Sequence, residues 1–209
     1  MPARGNARRV RRMPLKVQRS VLAVMARSGV GEVQQVGGTP TWLNRPGPDD
    51  CGEMWSAVCD IYRALTGQQL PSAMPERERR AIDAVLVGAD GRRIVEVDES
   101  QHFTPPRAQT LAVYPGGVLT AFDRERWEER SLRGRLPQGG FARPCPPLFP
   151  GPGGRHLQRA FRDALADLLP AVHGWLPTLR IADWEVKQWI DLPDAQDRMD
   201  QLIAAKLKG

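Results

Sequence analysis

The stretch Ala81–His102, AIDAVLVGADGRRIVEVDESQH, decides the fold, because it contains two strand-like runs joined by a tight turn. Ile82–Val87 and Arg93–Asp98 are rich in valine and isoleucine, which favour β-strands. The intervening Gly88–Gly91, GADG, has the composition of a hairpin turn. We therefore predict an antiparallel β-hairpin at the centre of the domain.

The two registers open to this hairpin both bring acidic side chains onto one face. A turn at positions 90–91 places Asp83 opposite Asp98, whereas a turn at positions 89–90 places it opposite Glu96. Side chains alternate with a period of two along a strand, so the three carboxylates point to the same side in either register. Like charges on adjacent strands repel each other. We therefore expect a cation between them, and hard carboxylate oxygens favour Mg²⁺ or Mn²⁺.

The alternative is that the three carboxylates are polar residues of a solvated sheet face. Such a face usually carries long side chains of mixed charge, whereas this hairpin carries short Asp side chains, which disfavour strands. Val85 and Val87 share the acidic face and are apolar. This setting favours the metal site. Because the carboxylates repel one another without a cation, replacing one is not expected to lower the stability of the metal-free protein.

The pattern resembles that of the PD-(D/E)xK nucleases, which have the restriction-endonuclease-like fold. They share a strand Asp, a short hairpin and then Glu-x-(acid or Lys) on the next strand. The continuation IVEVDESQH, residues 94–102, looks like that of the very-short-patch-repair endonucleases, in which a His follows the acidic strand. The resemblance covers about residues 81–107. It implies an α/β fold with a mixed sheet and a central β-hairpin flanked by helices.

The resemblance also implies a metal-dependent DNA endonuclease with five site residues. Asp83 and Glu96 would bind Mg²⁺ or Mn²⁺. Asp98 occupies the position usually held by the catalytic Lys, which is a departure from the family pattern, and it would bind a second ion or orient water. Gln101 and His102 follow the acidic strand within reach of the phosphate. His102 is suited to general acid or base chemistry near neutral pH.

Basic residues are concentrated at the N-terminus. The first 31 residues carry eight basic groups and no acidic group, so the net charge of +6 divides into +8 here and −2 in the remainder. A basic arm on a nearly neutral body is typical of a protein that binds a phosphate backbone. No apolar face accompanies residues 1–12, which argues against a membrane surface as the partner. We predict DNA, with RNA as an alternative, and contacts from Arg4, Arg8, Arg9, Arg11, Arg12, Lys16, Arg80 and Arg107. Arg107 would also stand in electrostatically for the missing Lys.

The rest of the chain is predicted to form helices and strands around the hairpin, in one nuclease-like domain over 14–209 behind a flexible arm over 1–13. Apolar periodicity predicts helices over 15–28, 52–65, 156–169 and 192–207, and alternation predicts strands over 118–122 and 178–186. Arg155, Arg159 and Arg162 are expected on the outward face of the third helix. The six prolines and five glycines of residues 137–154 indicate a loop.

Cysteine usage is typical of a cytoplasmic protein. The three cysteines are an odd number without CxxC spacing, which favours reduced thiols. A zinc site from these and the three histidines is an alternative with poor ligand spacing. No apolar run approaches the 18 residues that would suggest a membrane span.

Two rival functions stay open. The missing Lys is compatible with a nuclease-like DNA-binding or assembly module that has lost catalysis. The slightly acidic body is compatible with a regulator whose acidic face docks a basic protein. As a nuclease, the protein would act as a homodimer or within a larger defence or repair complex.

Deleting residues 1–13 should weaken nucleic-acid binding without unfolding the domain. Five Arg are removed, so the slope of log K against log salt, about −0.9 per phosphate contact, should become shallower. Fluorescence titrations at several salt concentrations measure this slope. An unchanged slope would show that the arm does not contact the backbone.

Overall fold

A four-stranded mixed sheet forms the centre of the fold. The computed structural model describes residues 14–34, 39–44, 46–72 and 81–208. The strands lie in the order β1-β2-β3-β4, with the first three antiparallel and β4 parallel to β3. Their bounds are β1 Glu32–Gln34, β2 Ala84–Gly88, β3 Gly91–Asp98 and β4 Leu179–Ala182.

Helices cover both faces of this sheet. Within the described ranges the α-helices are α1 Pro14–Met25, α2 Thr41–Asn44, α3 Pro48–Cys51, α4 Trp55–Thr66, α5 Pro105–Ala112, α6 Arg124–Leu132, α7 Gly154–Val172, α8 Asp183–Val186 and α9 Ala195–Leu207. Short 3₁₀ turns occupy Gly52–Met54 and Gly139–Phe141. None of the helices in this part of the chain combines the length and the apolar character that crossing a membrane requires. The mixed α/β fold with a central hairpin flanked by helices is confirmed.

The hairpin adopts the second of the two predicted registers. Gly88 pairs with Gly91, so Ala89 and Asp90 form the two-residue turn. Gly91 has φ +136°, a backbone conformation that residues with a side chain rarely adopt, which explains a glycine there. The alternative turn at positions 90–91 is wrong.

Side chains of the hairpin alternate between two apolar layers. Ala84 and Val95 lie in one layer with Met25 of α1 and Met199 of α9. Val85 and Ile94 lie in the opposite layer with apolar residues of α4, α5 and α7. Both faces of the sheet are therefore buried, and the acidic face of the hairpin is the face directed toward α7.

The predicted strand over 178–186 ends earlier than expected. β4 stops at Ala182, and residues 183–186 form the helical turn α8. The backbone N–H of Ala182 donates to the Glu185 side chain at 2.8 Å, which caps this turn. The apolar residues that alternate over 178–186 thus belong to two elements, a short strand and a capped helical turn.

The predicted strand over 118–122 is also wrong. Ala121 makes only an isolated bridge to Leu179, and Thr120 Oγ1 donates to the Phe122 carbonyl at 2.9 Å, which closes a local bend. α6 follows directly, and Asp123 caps it by accepting from the Arg126 N–H at 3.0 Å. Sequence periodicity missed this helix because it is polar over most of its surface.

Gly134 should be intolerant of a side chain. A Cβ there would lie 1.9 Å from the Phe103 carbonyl oxygen, because the backbone after α6 abuts the backbone that follows β3. We expect Gly134→Ala to destabilise the fold by roughly 1–3 kcal/mol or more, as overpacking does.

Thermal or denaturant unfolding measures this effect. Gly140→Ala is the matched control, because a Cβ at Gly140 meets nothing within 4 Å. Equal stability of the two variants would contradict the close packing of these segments.

Candidate active site

Asp83 and Glu96 lie side by side at the open end of the hairpin. The pairing of Ala84 with Val95 places Asp83 opposite Glu96, and Asp98 follows on the same face of β3. Glu96 and Asp98 therefore share one face of β3, and Asp83 lines the same pocket as Glu96 from a position just before β2. Directly opposed residues have Cβ atoms about 4.5–5.5 Å apart, so Asp83 and Glu96 are near neighbours.

Hydrogen bonds hold the Asp83 carboxylate in place. β2 begins only at Ala84, so Asp83 lies just outside the strand. The backbone N–H of Val97 on β3 donates to the side-chain oxygen Oδ2 of Asp83 at 2.8 Å. Gln18 Nε2 of α1 donates to Asp83 Oδ1 at 2.7 Å. The expectation of unchanged stability is therefore wrong for Asp83→Ala, which would leave the Val97 N–H without this acceptor, at about 1–3 kcal/mol. Asp83→Asn retains an acceptor and is the better variant.

Acidic, basic and imidazole side chains surround one pocket of about 180 Å³ beside these carboxylates. The hairpin contributes Asp83 and Glu96, and the turn after β3 contributes His102. α7 contributes one carboxylate and three guanidinium groups. The full lining is Ala81, Asp83, Glu96, His102, Arg155, Arg159, Arg162 and Asp163.

The arginines of α7 were expected on the outward face of the helix. Arg155, Arg159 and Arg162 are spaced four and three residues apart, so they share one face. That face borders the pocket, and all three side chains are half-buried. Arg159 Nη1 donates to the Gln101 carbonyl at 3.3 Å, which connects α7 to the turn after β3. The spacing of the three arginines was the signal that could have assigned them to the site.

His102 is held by two carboxylates. Its Nδ1 lies 3.0 Å from Asp163 Oδ2 and 3.5 Å from Asp98 Oδ1, and its side chain is 18% exposed. Burial alone would lower the pKa of His102, but the carboxylates of Asp163 and Asp98 outweigh burial and raise it. Arg159 opposes them. His102 therefore keeps its proton to a higher pH than an ordinary histidine, which favours a role as a general acid.

Asp98 belongs to the protein interior. Arg180 Nη1 donates to its Oδ1 and Trp127 Nε1 to its Oδ2, each at 2.8 Å, and its side chain is 1% exposed. Both oxygens are thus engaged by protein donors. The predicted role of Asp98 as a metal ligand is wrong in this structure, because Arg180 neutralises its charge inside the protein and Asp98 does not line the pocket.

Arg107 is buried as well. It is 1% exposed and forms an ion pair with Asp167, and its Nη1 donates to the Tyr114 hydroxyl at 2.7 Å. Arg180 Nε donates to the other oxygen of Asp167 at 2.7 Å. The prediction that Arg107 contacts phosphate, or replaces the missing Lys beside it, is therefore wrong.

The other predicted site residues lie away from the pocket or outside the described residues. Gln101 Nε2 donates to Glu99 Oε2 at 3.2 Å, and Gln101 does not line the pocket. Burial raises the pKa of Glu99. Lys16 is exposed and forms a surface ion pair with Asp191 at 2.8 Å. Outside the described residues are Arg4, Arg8, Arg9, Arg11, Arg12 and Arg80.

Metal ligation would rest on Asp83 and Glu96. No group of three or more His, Cys, Asp or Glu within the described ranges is arranged to hold a metal ion. Mg²⁺, however, is usually bound by one or two carboxylates together with water and substrate phosphate. The donor set therefore fits an ion that is completed by a bound phosphate, and not an ion enclosed by protein alone.

No protein-family model, curated protein or solved structure matches this chain. The chemistry of the site is therefore the basis for a functional proposal.

The pKa values of His102 and His156 should be shifted in opposite directions. The pKa of His102 should lie above the ordinary value of about 6.5. The pKa of His156 should lie below it, because burial lowers it more than the hydrogen bond to the Pro137 carbonyl raises it. An NMR pH titration of the ring protons, assigned with histidine variants, measures both values.

Asp163→Asn should lower the pKa of His102 and leave that of His156 nearly unchanged. Because folding raises the His102 pKa, its contribution to stability is complete below about pH 6.5. That contribution is lost as the pH rises through the folded pKa. A His102 pKa at or below the ordinary value would contradict the carboxylate pairing.

Proposed function

We propose that this protein is a metal-dependent nuclease that hydrolyses phosphodiester bonds in DNA. The observation that carries the proposal is the pocket in which Asp83 and Glu96 meet the three arginines of α7 and the His102–Asp163 pair. Carboxylates suit a divalent cation, guanidinium groups suit phosphate, and a paired imidazole suits proton transfer. Metal-dependent hydrolysis of a phosphodiester can use all three functions at one place.

The fold supports the same proposal. A mixed sheet with a central hairpin and helices on both faces is the architecture that the resemblance to PD-(D/E)xK nucleases implies. We propose that the core is restriction-endonuclease-like on this ground and on the position of the acidic pair. Glu96 lies on the second hairpin strand, as in that pattern, and Asp83 lies directly before the first, where the pattern has a strand Asp.

Asp83 and Glu96 would hold Mg²⁺ or Mn²⁺. When bound, the ion supplies charge neutralisation at the phosphate and lowers the pKa of a bound water. Asp83 is fixed in position by Gln18 and Val97, and ionised carboxylates have about four acceptor sites, so those bonds leave further sites open.

The remaining pocket residues would bind and cleave the substrate. Arg155, Arg159 and Arg162 would hold the non-bridging phosphate oxygens, where paired guanidinium hydrogen bonds are strong. His102, kept protonated by Asp163, would donate a proton to the leaving oxygen. Asp163 would be a positioning residue, because it holds the imidazole through Nδ1.

A nuclease-like module without catalysis is the second candidate. It is favoured by one observation: Asp98, at the position of the catalytic Lys, is neutralised by Arg180 inside the protein. Docking of a basic protein on the acidic face is not favoured, because Glu96 is 6% and Asp98 1% exposed. Too little of these two carboxylates is exposed for them to form a protein-binding surface.

Cleavage assays with Mn²⁺ and with chelator test the proposal. Supercoiled and linear DNA should be cleaved only with the divalent cation. Asp83→Asn and Glu96→Gln should each reduce the rate by on the order of 10²–10³-fold, because each removes a carboxylate from the ion. The uncut and cut forms are quantified on gels over time.

Asp90→Asn is the matched control. It removes one carboxylate from the same hairpin, at the exposed turn and far from the pocket, so it should cleave like the unaltered protein. Melting temperatures separate loss of activity from unfolding. Nucleic-acid binding without any divalent-dependent cleavage would replace the nuclease with the inactive module.

A further inference from the structure

A second basic pocket, of about 360 Å³, lies beside the candidate active site. We propose that it binds the phosphodiester backbone of the nucleic-acid strand whose neighbouring phosphate occupies the first pocket. This proposal rests on the proposed function, because it takes the ligand to be the nucleic-acid strand that the first pocket binds. The lining consists of Ser100, Phe103, Arg130, Arg133, Gly134, Arg135, Asp183, Trp184 and Lys187.

The charge of this pocket is strongly positive. Four cationic side chains line it, from the end of α6, the residues after it and the residue after α8, against the single carboxylate of Asp183. All four cations are exposed to solvent. Arg133 pairs with Glu129 at 3.8 Å, with side chains 80% and 67% exposed, so this ion pair is weak. Arg133 can therefore pair with another anion in place of Glu129.

The pocket offers hydrogen-bond donors far more than acceptors. Guanidinium and ammonium groups are donors only. Arg126 lies over the Trp184 ring at 4.1 Å and Arg130 at 6.0 Å, which adds positive charge around the ring. A phosphodiester, whose oxygens are anionic acceptors, is the complementary ligand.

The residues that line the two pockets come within two positions of each other along the chain. Ser100 lines the second pocket and His102 lines the first. Consecutive Cα atoms are about 3.8 Å apart, so these two residues lie within about 7.6 Å of each other. The His102 N–H donates to the Glu99 carbonyl at 2.8 Å, which makes this connection a tight turn. The close backbone contact of Gly134 with Phe103 fixes α6 against the same turn.

This spacing selects a polyanion over a small anion. Phosphates recur about every 3.4 Å of helix axis along one strand of DNA, so a strand that crosses the turn would present charges to both pockets. A single phosphate or mononucleotide would engage only one of them. The proposed path runs from the arginines of α7, over the turn at residues 99–102, to Arg133 and Arg135.

DNA binding in the presence of chelator tests the proposal without cleavage. The test variant is Arg133→Gln/Arg135→Gln, which changes only exposed side chains. With a short fluorescein-labelled DNA duplex, the slope of log K against log salt should become shallower by about 1.8, for two lost contacts. The affinity at 0.1 M salt should fall by about 10- to 100-fold.

Arg92→Gln/Lys208→Gln is the matched control, with the same loss of charge. Arg92 lies seven residues along the chain from Glu99, about 23 Å in an extended strand, and Lys208 follows Leu207, which lies beside the hairpin turn. The control should keep nearly the full affinity of the unaltered protein. Cleavage with Mn²⁺ is measured on the same proteins.

Each outcome decides the proposal. A loss specific to Arg133→Gln/Arg135→Gln supports the second pocket, and it does so even when no protein cleaves DNA, an outcome that would overturn only the proposed nuclease. Equal binding by the test and control variants overturns the second pocket, even when cleavage proceeds. Absence of DNA binding by the unaltered protein overturns it as well.

Discussion

The guanidinium group of Arg180 is the interaction on which the rest of the structure depends. It donates to Asp98 on β3 at 2.8 Å, and to Asp167 and the Asp163 carbonyl on α7 at 2.7 and 3.0 Å. Its side chain is 0% exposed. Removing one partner of such a buried pair typically costs about 3–5 kcal/mol, because the other charge is left uncompensated. Arg180 therefore fixes the distance between the acidic face of the sheet and α7, and the candidate active site lies between these two surfaces.

His102 adjoins a network of buried charges in this interior. Three carboxylates, those of Asp98, Asp163 and Asp167, face two guanidinium groups, those of Arg107 and Arg180. Burial lowers the pKa of His102, but Asp163, at 3.0 Å, and Asp98 outweigh burial and raise it. The carboxylates that belong to this network thus also favour the protonated imidazole that the proposed chemistry needs.

The hairpin was predictable because it depends on local rules. Valine and isoleucine, the GADG turn and the period of two specify the strands. They leave open whether Asp83 lies opposite Glu96 or Asp98, and the turn at Ala89 and Asp90 decides this in favour of Glu96. The partners of the charged residues were not predictable, since Arg180 and Asp98 are 82 positions apart in the chain and meet only through the parallel pairing of β4. Asp98 was therefore assigned to a metal when it belongs to an ion pair. Similarly, periodicity identifies the polar face of α7 but cannot distinguish bulk solvent from a pocket.

The contacts of Asp83 have a consequence for the entropy of ligand binding. An Asp side chain at the end of a strand would ordinarily sample several rotamers, and a cation would have to select one of them. Here Gln18 and the Val97 N–H restrict the carboxylate to one orientation in the absence of any ligand. Preorganisation of this kind reduces the conformational freedom lost on binding and so favours association without any added contact. Helix α1 contributes no ligand to the candidate site. The side-chain amide of Gln18 on this helix would nevertheless raise the affinity of the site for a cation.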